Sequence, residues 1–215
     1  MANPTHVRIP LDPASAEANV VQGALRCIAR WGLAKTTLED IARESGCSRA
    51  TVYRLFPGGK AALIDVVGQH EIARLLLLIT ERIDAAPDLE AMLVDAIDAA
   101  ARFFRENAAI VMLAEHEPEV LLPILSFDRL DPVLATTSAF LGPLVARFVD
   151  DRTAGELVEW AARLVLSYSF EPSPFVDLAD PDDVRQLVCR HLLPGARLAA
   201  SEALHPTQAS LAATS

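Results

Sequence analysis

Thr36-Thr37-Leu38-Glu39-Asp40-Ile41-Ala42-Arg43-Glu44-Ser45-Gly46-Cys47-Ser48-Arg49-Ala50-Thr51-Val52-Tyr53-Arg54-Leu55-Phe56 is the stretch that decides the reading of this chain. Thr36 or Thr37 can cap a short helix carrying Leu38, Ile41 and Ala42. Gly46 permits a left-handed turn, and Ser48 can cap a second short helix carrying Val52, Leu55 and Phe56. Two helices joined at a glycine pack closely only where small residues cross, and Ala42 supplies one. Ile41, Cys47, Val52 and Phe56 then form a small core with Leu25 and Ile28. Arg49, Ala50, Thr51, Tyr53 and Arg54 are left facing outward. Cationic and hydrogen-bonding groups around a small alanine suit the DNA major groove. Arg49 is placed to read guanine, and Thr51 a base edge or a thymine methyl. Thr36, Tyr53 and Arg54 are assigned to phosphates, with Lys60 adding a contact at the start of the next helix. With Thr37 and Ser48, these residues make up the expected DNA-binding set. The competing reading is a plain helical hairpin with no DNA role.

Charge distribution favours DNA. The chain of 215 residues has a net charge of −10, yet residues 1–60 carry +3 and the remainder −13. A basic head on an acidic body directs a polyanion to the head. No run approaches the ~18 unbroken apolar residues of a membrane helix, and Met1–Pro13 lacks the apolar region of a signal peptide. Three cysteines, Cys27, Cys47 and Cys189, form no CxxC pattern, so a reducing cytoplasm is the expected compartment.

Outward from the motif, periodicity predicts helices almost throughout. Asp12-Pro13 starts the first, which carries Val21, Leu25, Ile28 and Trp31 and stops at Gly32. A long fourth helix follows Pro57-Gly58-Gly59, with Gly68 as a candidate bend. A fifth begins at Pro87-Asp88. Pro118 and Pro123 break residues 108–131 into short helices and loops, and another helix runs from about Pro132 to Phe148. Thr153–Tyr168 is apolar on more than one side, which fits a helix shared between a core and a partner. A last helix starts at Asp180-Pro181 and ends before Pro194-Gly195. The expected organisation is a DNA-binding domain over 12–60, a helical ligand-binding and dimerisation domain over 61–200, and a disordered tail over 201–215.

The segment around the motif resembles the TetR family of bacterial transcription regulators. The resemblance rests on Thr37-Leu38-Glu39-Asp40-Ile41-Ala42, Gly46-Cys47-Ser48 and Thr51-Val52-Tyr53-Arg54-Leu55-Phe56, followed by a lysine and Ala62-Leu63. It covers about residues 15–65; beyond that only length and helix order agree. It implies an all-α homodimer whose last two helices form a four-helix dimer bundle and whose middle helices enclose an effector pocket. The effector would change the spacing of the recognition helices and release a palindromic operator of double-stranded DNA.

Phe103, Phe104, Met112, His116 and Phe140 are the candidate ligand-binding residues, although each apolar one taken singly reads first as ordinary core. Leu164, Val165 and Leu192 are the candidates for the dimer interface. Glu115-His116-Glu117 with Glu119 reads as a solvated acidic loop, because neighbouring helical residues diverge and no His recurs at metal-ligand spacing. GxSxG, HExxH, phosphate-loop and dinucleotide fingerprints are all missing, so no enzyme, metal or cofactor is expected. The reading is a repressor released by a small, largely apolar effector. Its alternative is a DNA-binding activator or architectural regulator without an effector.

Overall fold

The computed structural model describes residues 11–125 and 127–196, side chains at 122–129 excepted; the expected tail over 201–215 lies outside the described residues. Every element among the described residues is helical. In chain order they are α1 (Ala16–Lys35), α2 (Leu38–Glu44), α3 (Arg49–Leu55), α4 (Gly59–Ile83), α5 (Leu89–Glu106), α6 (Ala108–His116), α7 (Pro118–Leu125), α8 (Phe127–Val145), α9 (Asp151–Phe170) and α10 (Pro181–Leu187), which passes into a π-helical turn over Val188–Leu192.

Local chemistry explains most boundaries, and corrects several. Asp12 makes a turn rather than a helix start, its carboxylate accepting from the Ala14 N–H. The cap of α1 is Ser15, whose hydroxyl accepts from the Ala18 N–H. Gly32 interrupts α1 as expected, at φ 81 and ψ 168, but the helix resumes for a turn beyond it. Thr37, not Thr36, caps α2. α4 runs through Gly68 without a break. Proline at 123 does not end α7, and α8 starts at Phe127, ahead of Pro132. The last helix also passes Pro194-Gly195. A proline cannot donate to the carbonyl four residues back and its ring crowds that carbonyl. Here the preceding turn is wider: the Leu193 N–H reaches the Val188 carbonyl, five residues back.

The chain divides into two compact units. One holds the described residues up to Ile79 with Ala100–Thr136; the other holds Thr80–Ala99 and the described residues from Thr137 onward. In the first, Val20, Val21, Cys27, Ile41, Val52, Phe56 and Leu63 form one closed core, with Leu25, Trp31 and Cys47 packed against it. Burying each large side chain is worth roughly 1.5–3 kcal/mol, and the cluster joins the short α2 and α3 to α1 and the first turns of α4. The same unit contains α6, which packs along α1. In the second unit, Met92, Leu93 and Ile97 of α5, Leu157, Val158 and Val165 of α9, and Val184, Leu187 and Leu192 near the end are buried. Arg185 pairs with Glu90 at 3.2 Å, and the Arg147 guanidinium donates to the carbonyls of Asp84 and Ile83.

Candidate nucleic-acid interface

α2 is fixed by reciprocal capping at its first turn. The Asp40 N–H donates to Thr37 Oγ1 (3.1 Å), and the Asp40 carboxylate accepts from the Thr37 N–H (3.2 Å) and hydroxyl (2.5 Å). The Thr37 hydroxyl, and then its N–H, hold the Asp40 carboxyl below the ordinary carboxylate range. The turn to α3 passes Gly46 at φ 65, in the left-handed region where a Cβ is penalised. The Cys47 N–H returns to the Ala42 carbonyl (3.0 Å), and Ser48 caps α3 by accepting from the Thr51 N–H (3.1 Å). Ala42 is buried where the helices cross.

α1 braces this pair through contacts that sequence reasoning missed. Asn19 Nδ2 donates to the Ser45 carbonyl (2.7 Å), and Arg26 Nε to Glu44 Oε1 (2.7 Å). The partners are 26 and 18 residues apart, so no local pattern announces them. Burial pushes the Cys27 thiol up, with Glu44 and Asp40 adding to the effect, which marks Cys27 as a core residue rather than a nucleophile.

With Val52 sealed inside, α3 turns Arg49, Ala50, Tyr53 and Arg54 to solvent, and Tyr53 is 48% exposed. Thr51 is half-buried, its hydroxyl 3.0 Å from that of Ser48. Arg49 Nη1 lies 3.2 Å from Glu39 Oε2 of α2, both largely exposed. The arrangement is a shallow helix face with a small residue at its centre and guanidinium, phenol and hydroxyl groups around it. Such a face fits a groove lined with acceptors.

One of the expected contacts is corrected, and another has a partner within the chain. Thr36 is 1% exposed and its hydroxyl donates to the Gly32 carbonyl (2.6 Å), so it stabilises the α1 break rather than facing a phosphate. Lys60 is half-buried and its Nζ donates to the Leu33 carbonyl (2.7 Å), so one of its three donors is spent on the end of α1.

The expected ligand residues do not form one group. Phe103 is buried beneath the Arg74 guanidinium, 4.9 Å from the ring centre, and meets Phe104 edge-on at 5.9 Å. Met112 is half-buried on α6. Phe140 belongs to the other compact unit and is 42% exposed. His116 is exposed at the end of α6, 3.9 Å from Glu115, and this corrects its expected place in a pocket. Glu117 is corrected too: it caps the end of α6, and its carboxylate accepts from the Leu33 and Ala34 N–H groups instead of standing in a solvated loop. Among the dimer candidates, Leu164 lines a cleft of about 530 Å3 between α9 and the last helix, beside Trp160 and Phe175. Val165 and Leu192 are buried in the subunit's own interior, Leu192 only backing that cleft. Both lie on apolar stripes that serve the interior.

Among the described residues, no helix is long and apolar enough to cross a membrane, and no three His, Cys, Asp or Glu side chains are grouped to hold a metal ion.

Residues 20–67 match the family model of bacterial regulatory proteins of the tetR family. The chain is 33% identical over 64 residues to an HTH-type transcriptional regulator of Mycobacterium bovis, covering 30% of this chain and 34% of that protein. A counterpart in Mycobacterium tuberculosis is 32% identical over 59 residues, 27% of this chain and 31% of its own. The matched stretch thus spans about a third of the length of these relatives. Two solved structures share the fold over most of their length. The TetR family repressor AlkX of Dietzia, implicated in biodegradation of n-alkanes, superposes with a TM-score of 0.62 at 17% identity, covering 85% of this chain and 98% of its own. The fatty acid degradation regulator FadR of Bacillus halodurans gives 0.56 at 18%, covering 84% and 98%. Residues 20–67, the helix-turn-helix head, are thus similar to bacterial regulatory proteins of the tetR family, and the chain shares its fold with the two solved structures.

Proposed function

We propose that this transcriptional regulator is a homodimeric repressor that binds a palindromic operator through α3 and leaves it when a small, largely apolar effector binds. The observation that carries the reading is the exposed face of α3, with Arg49, Tyr53 and Arg54 around Ala50 on a helix whose opposite side is locked by Val52. One such helix spans only a half-site, so tight binding calls for two copies one helical turn apart, about 10 base pairs. The second copy is assigned to the cleft of α9 and the last helix. There Trp160 (62% exposed) and Phe175 (87%) stand out, and the rim carries both Glu156 and Asp183 and Arg190 and His191. A rim of both signs can pair with itself across a two-fold axis. The apolar effector class is supported by the n-alkane and fatty acid themes of the two structural relatives.

The test is selection of binding sites from a random-sequence duplex pool by the full-length protein, followed by anisotropy on the enriched site with n-alkanes, fatty acids and polar metabolites. Enrichment of one inverted repeat, released by apolar compounds, is the expected result. Absence of any enriched sequence overturns the DNA reading, and a site that no compound releases favours a regulator without an effector.

A further inference from the structure

The point where α1 breaks is held from two directions by charged side chains far away in the sequence. Gly32 at φ 81 and ψ 168 breaks the helix immediately ahead of the Leu33 and Ala34 N–H groups. The Glu117 carboxylate closes on them: Oε2 accepts from Leu33 at 2.8 Å and from Ala34 at 3.1 Å, and Oε1 lies 3.2 Å from the same Ala34 nitrogen. On the other side of the same residue, Lys60 Nζ takes the Leu33 carbonyl. A second observation agrees. A Cβ at Gly32 would overlap Glu117 Oε1, so the carboxylate fills the space the missing side chain leaves.

Glu117 sits at the last turn of α6, and the first turn of that helix is tied down as well. Asn107 caps it, accepting from the Ala109 and Ile110 N–H groups at 3.2 Å, while its Nδ2 donates to the buried Glu71 of α4. Between these anchors α6 is short and almost wholly apolar, Ala108-Ala109-Ile110-Val111-Met112-Leu113-Ala114. It is therefore a strut with a polar clamp at each end, and one clamp grips the backbone of the DNA-binding head.

We infer that Glu117 is a positioning residue for DNA recognition: its carboxylate latches the Leu33–Ala34 amides to the end of α6 and so sets the orientation of the α1–α3 head. The inference rests on the DNA-binding reading above. A charged acceptor on two backbone amides is stronger than a neutral one, and here it ties two adjacent amides of the head to the end of α6. Losing it leaves α3 and its exposed face intact but lets the head rock. The cost falls on specific recognition, which requires two heads in register, and spares loose association with phosphates, which does not.

The test uses full-length protein in three forms: wild type, Glu117→Gln and Glu117→Ala. The first readout is amide hydrogen exchange at Leu33 and Ala34. The second is anisotropy on the duplex enriched by the wild type and on a scrambled duplex of equal length. In Glu117→Ala, exchange at the two amides should speed up at least tenfold. Its affinity for the enriched site should fall about tenfold while scrambled DNA is bound no more weakly than by wild type and the melting temperature stays within a few degrees. Glu117→Gln keeps one oxygen able to accept from both amides and should recover most of both losses; it also controls for the charge removed. Unchanged exchange in Glu117→Ala overturns the latch. Faster exchange with equal losses on enriched and scrambled DNA overturns its role in positioning. If wild type enriches no sequence, the DNA reading fails, while the exchange experiment still decides whether the latch exists.

Discussion

Arg49 Nη1 of α3 and Glu39 Oε2 of α2 stand 3.2 Å apart across the helix-turn-helix, so the guanidinium proposed to read the groove has an acidic partner within the chain. Both side chains are more than half exposed. A pair of this kind contributes under about 1 kcal/mol, little enough for a guanine to replace Glu39. Arg49→Ala should cost about 1–3 kcal/mol of operator affinity and relax preference at one position of each half-site. Glu39→Gln should bind the same site slightly more tightly and with a steeper salt dependence, since a competing anion is gone. Competition titrations on single-base variants of the enriched site measure both; undiminished sequence preference in Arg49→Ala removes Arg49 from base reading.

Lys60 provides a contrast. Its ammonium donates to the Leu33 carbonyl, a charge-assisted bond worth about 1.5–3 kcal/mol where it is shielded. Lys60→Met should therefore lower the unfolding midpoint while leaving the slope of log K against log salt within half a unit of wild type, by the counterion relation. A slope lower by a full unit, with stability unchanged, would return Lys60 to the phosphates.

Acid should loosen the head through Asp40. Its carboxyl is depressed in the folded chain by the Thr37 hydroxyl and N–H, and that of Asp150, which caps α9, by the Thr153 N–H and hydroxyl. A depressed folded value means the stabilisation is present above the unfolded pKa of about 3.9 and is lost as the pH falls through the folded value. Urea midpoints of Asp40→Asn and wild type should differ at pH 7 and converge towards pH 3. Thr37→Ala, which removes the cap itself, should cost about 1 kcal/mol at pH 7. A gap that stays constant with pH would show that the ionised carboxylate contributes nothing.

The two faces of α9 predict opposite outcomes for one kind of substitution. Trp160 is 62% exposed beside the cleft, whereas Val165 is 4% exposed inside the subunit. Trp160→Lys should give folded monomers that have lost tight operator binding; Val165→Lys should fail to fold, because an unpaired buried charge is costly. Sedimentation equilibrium with circular dichroism separates these cases, and a Trp160→Lys protein that remains dimeric would move the interface elsewhere.

What was legible in the sequence follows the range of the forces involved. The head was readable because its determinants are local: Gly46 for the turn, Ser48 for the cap, Ile41 and Val52 three to six residues from their partners in the pattern. The helix starts failed by a few residues where two capping residues competed, as with Asp12 against Ser15. Thr36 and Lys60 have side chains suited to phosphates yet satisfy carbonyls exposed by the break at Gly32. Glu117 could not be found at all from its neighbours, since its partners lie 84 and 83 residues away. Apolar stripes on α5, α6 and α9 gave the helices but not which apolar residue faces a pocket, a partner or the interior, because the same transfer energy drives all three.

The widened turn at Val188–Leu192 has a consequence for the length of the last helix. Val184, Leu187 and Val188 are buried, and so are Leu192, Leu193 and Ala196. Counted along the chain, the second trio arrives one position later than a helix of 3.6 residues per turn would bring it to the same side. Remove one residue between Val188 and Leu192 and the buried positions fall at intervals of three, four, seven, eight and eleven from Val184, an unbroken α-helical stripe. The helix thus carries a supernumerary residue, taken up by the five-residue hydrogen bond from Leu193 to Val188. Arg190 and His191, both exposed, occupy the turn that the extra residue created. A chain one residue shorter there, with alanine in place of Pro194, would keep the same interior, and what it would give up is the way the Arg190 and His191 side chains are turned outward.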